Sequence, residues 1–152
     1  MIRPFALACL SLALALSSLP AAAQAPRTPA IQCRVLLPES PIPGNPGHSI
    51  LMLEVTVAAD RDGHRHQHDS VEYLHVISGD GLVMIDNLPD TPLTPGTVVV
   101  IPRKTPHQIH NHSTTATLVF TATFIEDEDD HTITVYVGEA DSQHGCPHTR
   151  GK

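Results

Sequence analysis

The 152-residue chain predicts an all-β fold, a sandwich or a barrel, on three observations. Val, Ile and Thr dominate its periodic segments, which suits strands. Those segments are short and are separated by Gly and Pro, the punctuation of many-stranded proteins. Beyond the first two dozen residues no window carries a helical apolar period.

Residues 1–23 stand apart from that fold and read as a secretory signal peptide. Arg3 supplies the positive start, Phe5 to Leu16 the apolar run, and Ala21-Ala22-Ala23 the small-residue site after a Ser-Ser-Leu-Pro break. The apolar run is too short to anchor comfortably in a bilayer. Cleavage is expected after Ala23; cleavage after Ala25 also fits the small-x-small rule, but sets Pro26 next to the scissile bond. Residues 24–48 form a linker and an N-terminal strand, Ile31 to Leu37, followed by a loop at 38–47 that holds four prolines and two glycines. Residues 49–126 form the core. Ser49 to Ala59 is its clearest strand, with Leu51, Leu53, Val55 and Val57 on one face. Asp60 to Gly63 is a turn. Val71 to Ile77 runs into Gly79-Asp80-Gly81, a hairpin signal, and Leu82 to Asp86 returns from it. Pro89 to Gly96 is a loop with three prolines, and Thr97 to Ile101 is a short strand stopped by Pro102. Thr115 to Ile125 closes the core, and residues 127–152 hold a last strand, Thr132 to Val137, and a tail.

Charge and composition exclude several function classes. Loss of Arg3 with the signal takes the formal charge from −7 to −8, which disfavours nucleic acid and anionic membrane surfaces, since phosphate contacts need a basic patch. The run Glu126 to Asp130 reads as a solvated turn. Beyond residue 23 the aromatic residues are Tyr73, Phe120, Phe124 and Tyr136, too few for a stacking platform. Two cysteines remain, Cys33 and Cys146. An even count in an oxidising compartment suggests a bridge, which the chain-entropy model credits with roughly 4–5 kcal/mol; two free thiols are the alternative.

Eleven histidines are a heavy load for this length. An extended segment places residues two apart on one face. His64, His66, His68 and Glu72 share that parity, and Leu74 and Val76 continue it as apolar wall. Imidazoles with one carboxylate suit Fe, Mn, Ni, Cu or Zn. His75 has the opposite parity and is expected to face away, as are His110 and His112 relative to His107. His48, His131, His144 and His148 read as solvated, Glu54 as facing water or, less simply, the cavity, and Asn111 as a brace for the loop around His107.

Residues 66–79 read HxHxxxExxxxxxG, and residues 96–111 read GxxxxxPxxxxHxxxN. In order and separation the two stretches resemble the paired motifs of the cupin superfamily, in its small single-domain bacterial form. The resemblance implies a single small jelly-roll β-barrel, with the strand pattern alike over about 49–126. It implies that His66, His68, Glu72 and His107 hold one divalent transition metal ion (Fe, Mn, Ni, Cu or Zn). The pair His64 and His66 is the alternative to His66 and His68; the spacing to Glu72 and Gly79 favours the latter. Two turn positions depart from the family pattern: Asp60 and Lys104 stand where glycine is usual.

Four protein ligands leave one or two positions open for a substrate or dioxygen. The expected function is therefore an exported metal-binding cupin, by analogy a mononuclear oxygenase acting on a small organic substrate. The alternative is a non-catalytic cupin of the envelope, periplasmic or secreted, that binds or senses a small ligand or buffers metal. The expected partner is a small molecule, with neither nucleic acid nor, after signal cleavage, membrane; homodimerisation stays open. Fold alone does not choose among these.

Overall fold

Strict alternation along 48–57 turns Leu51, Leu53, Val55 and Val57 inward, and the computed structural model builds its core on that row. Residues 30–127, 135–136 and 146 are described. They form ten strands in the order β1 (Ile31–Pro41), β2 (His48–Val57), β3 (His66–Gln67), β4 (Val71–Ser78), β5 (Gly81–Ile85), β6 (Thr91–Leu93), β7 (Val98–Ile101), β8 (His107–Asn111), β9 (Leu118–Asp127) and β10 (Val135–Tyr136). No helix is present among the described residues. The signal peptide and its cleavage site lie outside them, as do His131, His144 and His148.

Two antiparallel sheets of five strands face each other in the jelly-roll manner, one in the order β1-β2-β9-β4-β7 and the other β10-β3-β8-β5-β6. β2 and β9 pair along their whole lengths, from His48↔Asp127 to Val57↔Leu118. Leu74 and Val76 of β4, Val83 and Ile85 of β5, Leu93 of β6, Val99 and Ile101 of β7, Ile109 of β8, and Leu118, Phe120, Ala122 and Phe124 of β9 complete the core with the β2 row. The outward residues of β4 and β7, Tyr73, Ile77, Val98 and Val100, are exposed.

Four expectations from sequence need correction. β1 does not stop at Leu37 but runs on to Pro41. It is an edge strand with two register shifts, so Pro38 and Pro41 forfeit no interior ladder bonds. Gly79-Asp80-Gly81 does not close a hairpin: β4 belongs to one sheet and β5 to the other, and the glycines serve the crossing between them. A Cβ on Gly79 would meet the Thr117 carbonyl oxygen at 2.4 Å, and one on Gly81 the His110 carbonyl oxygen at 2.4 Å. The loop at 89–96 contains the short edge strand β6. Finally, Glu126 and Asp127 are not part of a solvated turn but close β9, opposite Ser49 and His48. Glu126 is buried there, and Asp127 takes ion pairs from Arg103 at 2.8 Å and His48 at 3.2 Å.

Asp60 and Lys104, the two residues standing where glycine is usual, both adopt positive φ, 54° and 55°. Lys104 is held in that conformation with its backbone N–H donating to the His68 carbonyl at 2.6 Å. The loop before β8 is thereby tied to the segment before β4.

Candidate metal centre

His66 and His107 lie directly opposite each other on β3 and β8. Two residues on, His68 lies on the way to β4, where Glu72 points back from the facing sheet, paired in register with Ile101 and Phe124. The site therefore sits between the sheets. One ligand atom from each of His66, His68 and His107 comes within 4.8 Å of the other two. The ring centroids are 4.3 Å apart for His66 and His107, 4.7 Å for His66 and His68, and 5.2 Å for His68 and His107. Glu72 Oε2 lies at the edge of this triangle, 3.2 Å from His68 Nε2 and 3.4 Å from His107 Nε2. Phe124 closes the apolar side, its ring centroid 4.8 Å from that of His68.

Backbone carbonyls fix the ring orientations. His66 Nδ1 donates to the His64 carbonyl at 2.6 Å, and His107 Nδ1 to the Thr105 carbonyl at 3.0 Å. In the neutral rings each Nε2 then keeps its lone pair, and that lone pair faces the cluster. Glu72 Oε2 is buried and, despite its closeness to two rings, makes no well-formed hydrogen bond. Buried acceptors converging in this way call for a proton or a cation between them. A divalent transition metal fits both the donor types and their arrangement.

Without a cation the site shares out charge by itself. Burial pushes His66 down to about 3, helped by His107 and His68. Burial works to raise Glu72, but the neighbouring His107 and His68 rings outweigh it and hold the carboxyl well below its usual range. His107 moves the other way: burial opposes its protonation, and the Glu72 carboxylate more than reverses that. In the metal-free site Glu72 and His107 thus favour each other's charged form.

The structure thus brings together all four residues expected as ligands, with Glu72 against two of the three imidazoles. His64 does not join the cluster and contributes its backbone carbonyl. His75 is exposed. His110 pairs outward with Asp62, and His112 is exposed beside it. Glu54 faces outward in a bidentate pair with Arg34, at 2.9 and 3.1 Å. Asn111 is a brace, though not for the loop at His107: its amide donates to the carbonyls of Val57, Ala58 and Ala116. The carbonyls of His64 and Thr105 were missed from sequence, because a backbone group carries no residue signature. The Arg65–Asp86 ion pair beside the site was missed because its partners are 21 residues apart.

Residues 53–124 match the family model of the Cupin domain. No curated protein sequence matches the chain. Among solved structures, the DMSP lyase DddQ of Ruegeria pomeroyi is similar at 21% identity and a TM-score of 0.58, over 72% of this chain and 54% of the lyase. This chain therefore spans about half the length of that protein. An oxalate oxidase in complex with glycolate aligns at 23% identity and a TM-score of 0.50, over 57% of this chain and 45% of the oxidase. A Cupin 2 conserved barrel domain protein of Salinispora arenicola aligns at 21% identity and a TM-score of 0.50, over 62% and 74% of the two chains. At such identities the likeness shows the fold alone. The family match over the strands that carry the site, together with two facing antiparallel sheets, makes this chain a member of the cupin superfamily.

Proposed function

We propose that this cupin holds one divalent transition metal ion through His66, His68 and His107, with Glu72 as fourth ligand, and presents it to a small organic molecule. The observation that carries this reading is the convergence of buried imidazole nitrogens and a carboxylate oxygen on one point between the sheets. Bound there, the metal would supply Lewis-acid or redox chemistry through its remaining positions. The chain's own residues have separate tasks. The His64 and Thr105 carbonyls hold two rings in the ligating tautomer. Phe124 and Ile101 keep water from the Glu72 side. Glu72 and His107, 3.4 Å apart, favour each other's charged form while no cation is bound.

The reaction class proposed is that of a mononuclear oxygenase. The solved likenesses include a lyase and an oxidase, so an oxygen-independent elimination is the competing class. A second reading, capture of a small ligand without turnover, is favoured by the interior: among the described residues its other buried polar side chains are Ser70, Asn111 and Glu126, and Asn111 is committed to backbone carbonyls. Export to the periplasm or medium is part of the proposal. The joined Cys33 and Cys146 support it, because disulfides persist in oxidising compartments.

The experiment is metal analysis of the protein as purified, followed by oxygen uptake and product analysis with a panel of small carboxylates, catechols and flavonols. One metal per chain is expected, with most of it lost on replacing any of His66, His68, Glu72 or His107 by Ala and kept in His75→Ala and His110→Ala. Full occupancy in His107→Ala would sink the four-ligand site. Metal without turnover on any panel member would favour capture.

A further inference from the structure

β3 is two residues long and meets β8 through a single register pair, His66↔His107. So short a ladder is a weak frame for a ligand, yet His66 must be held firmly for three imidazoles to meet. Two register pairs to β10 and further backbone and side-chain bonds complete the frame. Gly63 is fixed to β8 twice: its N–H donates to the Ile109 carbonyl at 2.8 Å, and its carbonyl accepts from Gln108 Nε2 at 2.9 Å. Arg65 reaches across β8 to Asp86, the residue after β5, with its Nη2 2.5 Å from both carboxylate oxygens. Asp86 is anchored in turn, its N–H donating to the Pro106 carbonyl at 2.9 Å, one residue before the ligand His107.

The geometry has a direction. His66, His107 and Ile85 form one cross-strand row. Arg65 precedes the first of these residues and Asp86 follows the last. Between anchored Gly63 and anchored Arg65 sits His64, whose carbonyl accepts the Nδ1 proton of His66. Fixing both neighbours of His64 fixes that carbonyl, and the carbonyl fixes the tautomer and tilt of the ring.

We propose that Arg65 and Asp86 are positioning residues of the metal centre, a strap over β8 that sets His66 for ligation. The inference rests on the metal-binding reading above. Partners of this kind change metal affinity by about 10–100-fold when removed.

The test is Co2+ titration, followed by the visible absorption of the bound ion, in Arg65→Ala, Asp86→Ala and the charge-swapped double variant Arg65→Glu/Asp86→Arg. Arg34→Ala, which breaks an ion pair on the opposite sheet, is the control. Melting of the metal-free proteins is measured alongside. The expected result is about a tenfold to hundredfold weaker affinity and an altered cobalt spectrum in each single variant. The melting of the metal-free single variants should match that of Arg34→Ala, and the swap should recover most of the affinity. Affinity unchanged in the single variants, or lowered equally in Arg34→Ala, would overturn the inference while leaving the metal site standing. A wild-type protein that takes up no cobalt would overturn the metal-binding reading and this inference with it.

Discussion

His66 and His107 face each other across one register pair, yet their protons respond to opposite forces. An unfolded histidine titrates near 6.5, whereas in the metal-free fold burial brings His66 down to about 3. As pH falls from 6.5, the unfolded chain takes up that proton first. The stability contributed by neutral His66 is therefore complete above 6.5 and is lost between 6.5 and about 3. The slope approaches about 1.4 kcal/mol per pH unit. Below the ordinary carboxylate range Glu72 adds to the loss, because its folded pKa is depressed. His107 is raised: burial opposes its proton, but Glu72 outweighs burial. Its contribution is complete below 6.5 and is lost as pH rises through the folded value. Chelated protein should therefore be most stable near neutrality, and its urea midpoint should fall on both sides. His66→Gln should flatten the acidic limb and His107→Gln the alkaline one. A profile that keeps both limbs in both variants would mean that neither ring carries the linkage. Of the four proposed ligands, His66, His68 and Glu72 were legible through strand parity, and His107 through the resemblance to the second cupin motif. Their unequal proton affinities were not, because those depend on which ring faces the carboxylate.

Strands were legible where one face alone is buried, as in β2 and β4, since alternation then records the fold directly. β3 and β8 were harder. Their residues are mostly polar, and the inward row of β8 holds His107, Ile109 and Asn111, of which Ile109 alone is an aliphatic core residue. Gly79-Asp80-Gly81 misled for another reason. A glycine pair serves a tight hairpin and a close crossing equally well, and only tertiary packing tells them apart. The two uses differ in energy, and glycine replacement separates them. Gly79 and Gly44 both have positive φ, 87° and 78°, so alanine strains the backbone at either position. At Gly44 the added Cβ meets nothing within 4 Å, whereas at Gly79 it meets the backbone of Thr117 and Leu118 within 3 Å. Gly44→Ala should cost about 1 kcal/mol. Gly79→Ala should cost clearly more in the same urea titration. Equal losses at the two sites would show that Thr117 and Leu118 yield freely and that the crossing does not depend on glycine.

Across the whole molecule, Cys33 on β1 and Cys146 are joined, with Cα atoms 4.9 Å apart and a sequence separation of 113. Nearly every described strand and all four proposed ligands lie inside that span. The barrel is thus a covalent ring, which changes what cutting it does. A protease acting once at the exposed Arg61, between β2 and β3, breaks the chain without releasing a fragment. β1 and β2 stay attached to the remainder through sulfur, in register with β9. Trypsin-nicked protein should run as one species on a non-reducing gel and as two fragments after reduction. Fragments that part without reductant would show that the ring is open. A closed ring can be cut once and remain a single molecule, so the first cleavage is a wound the barrel can survive.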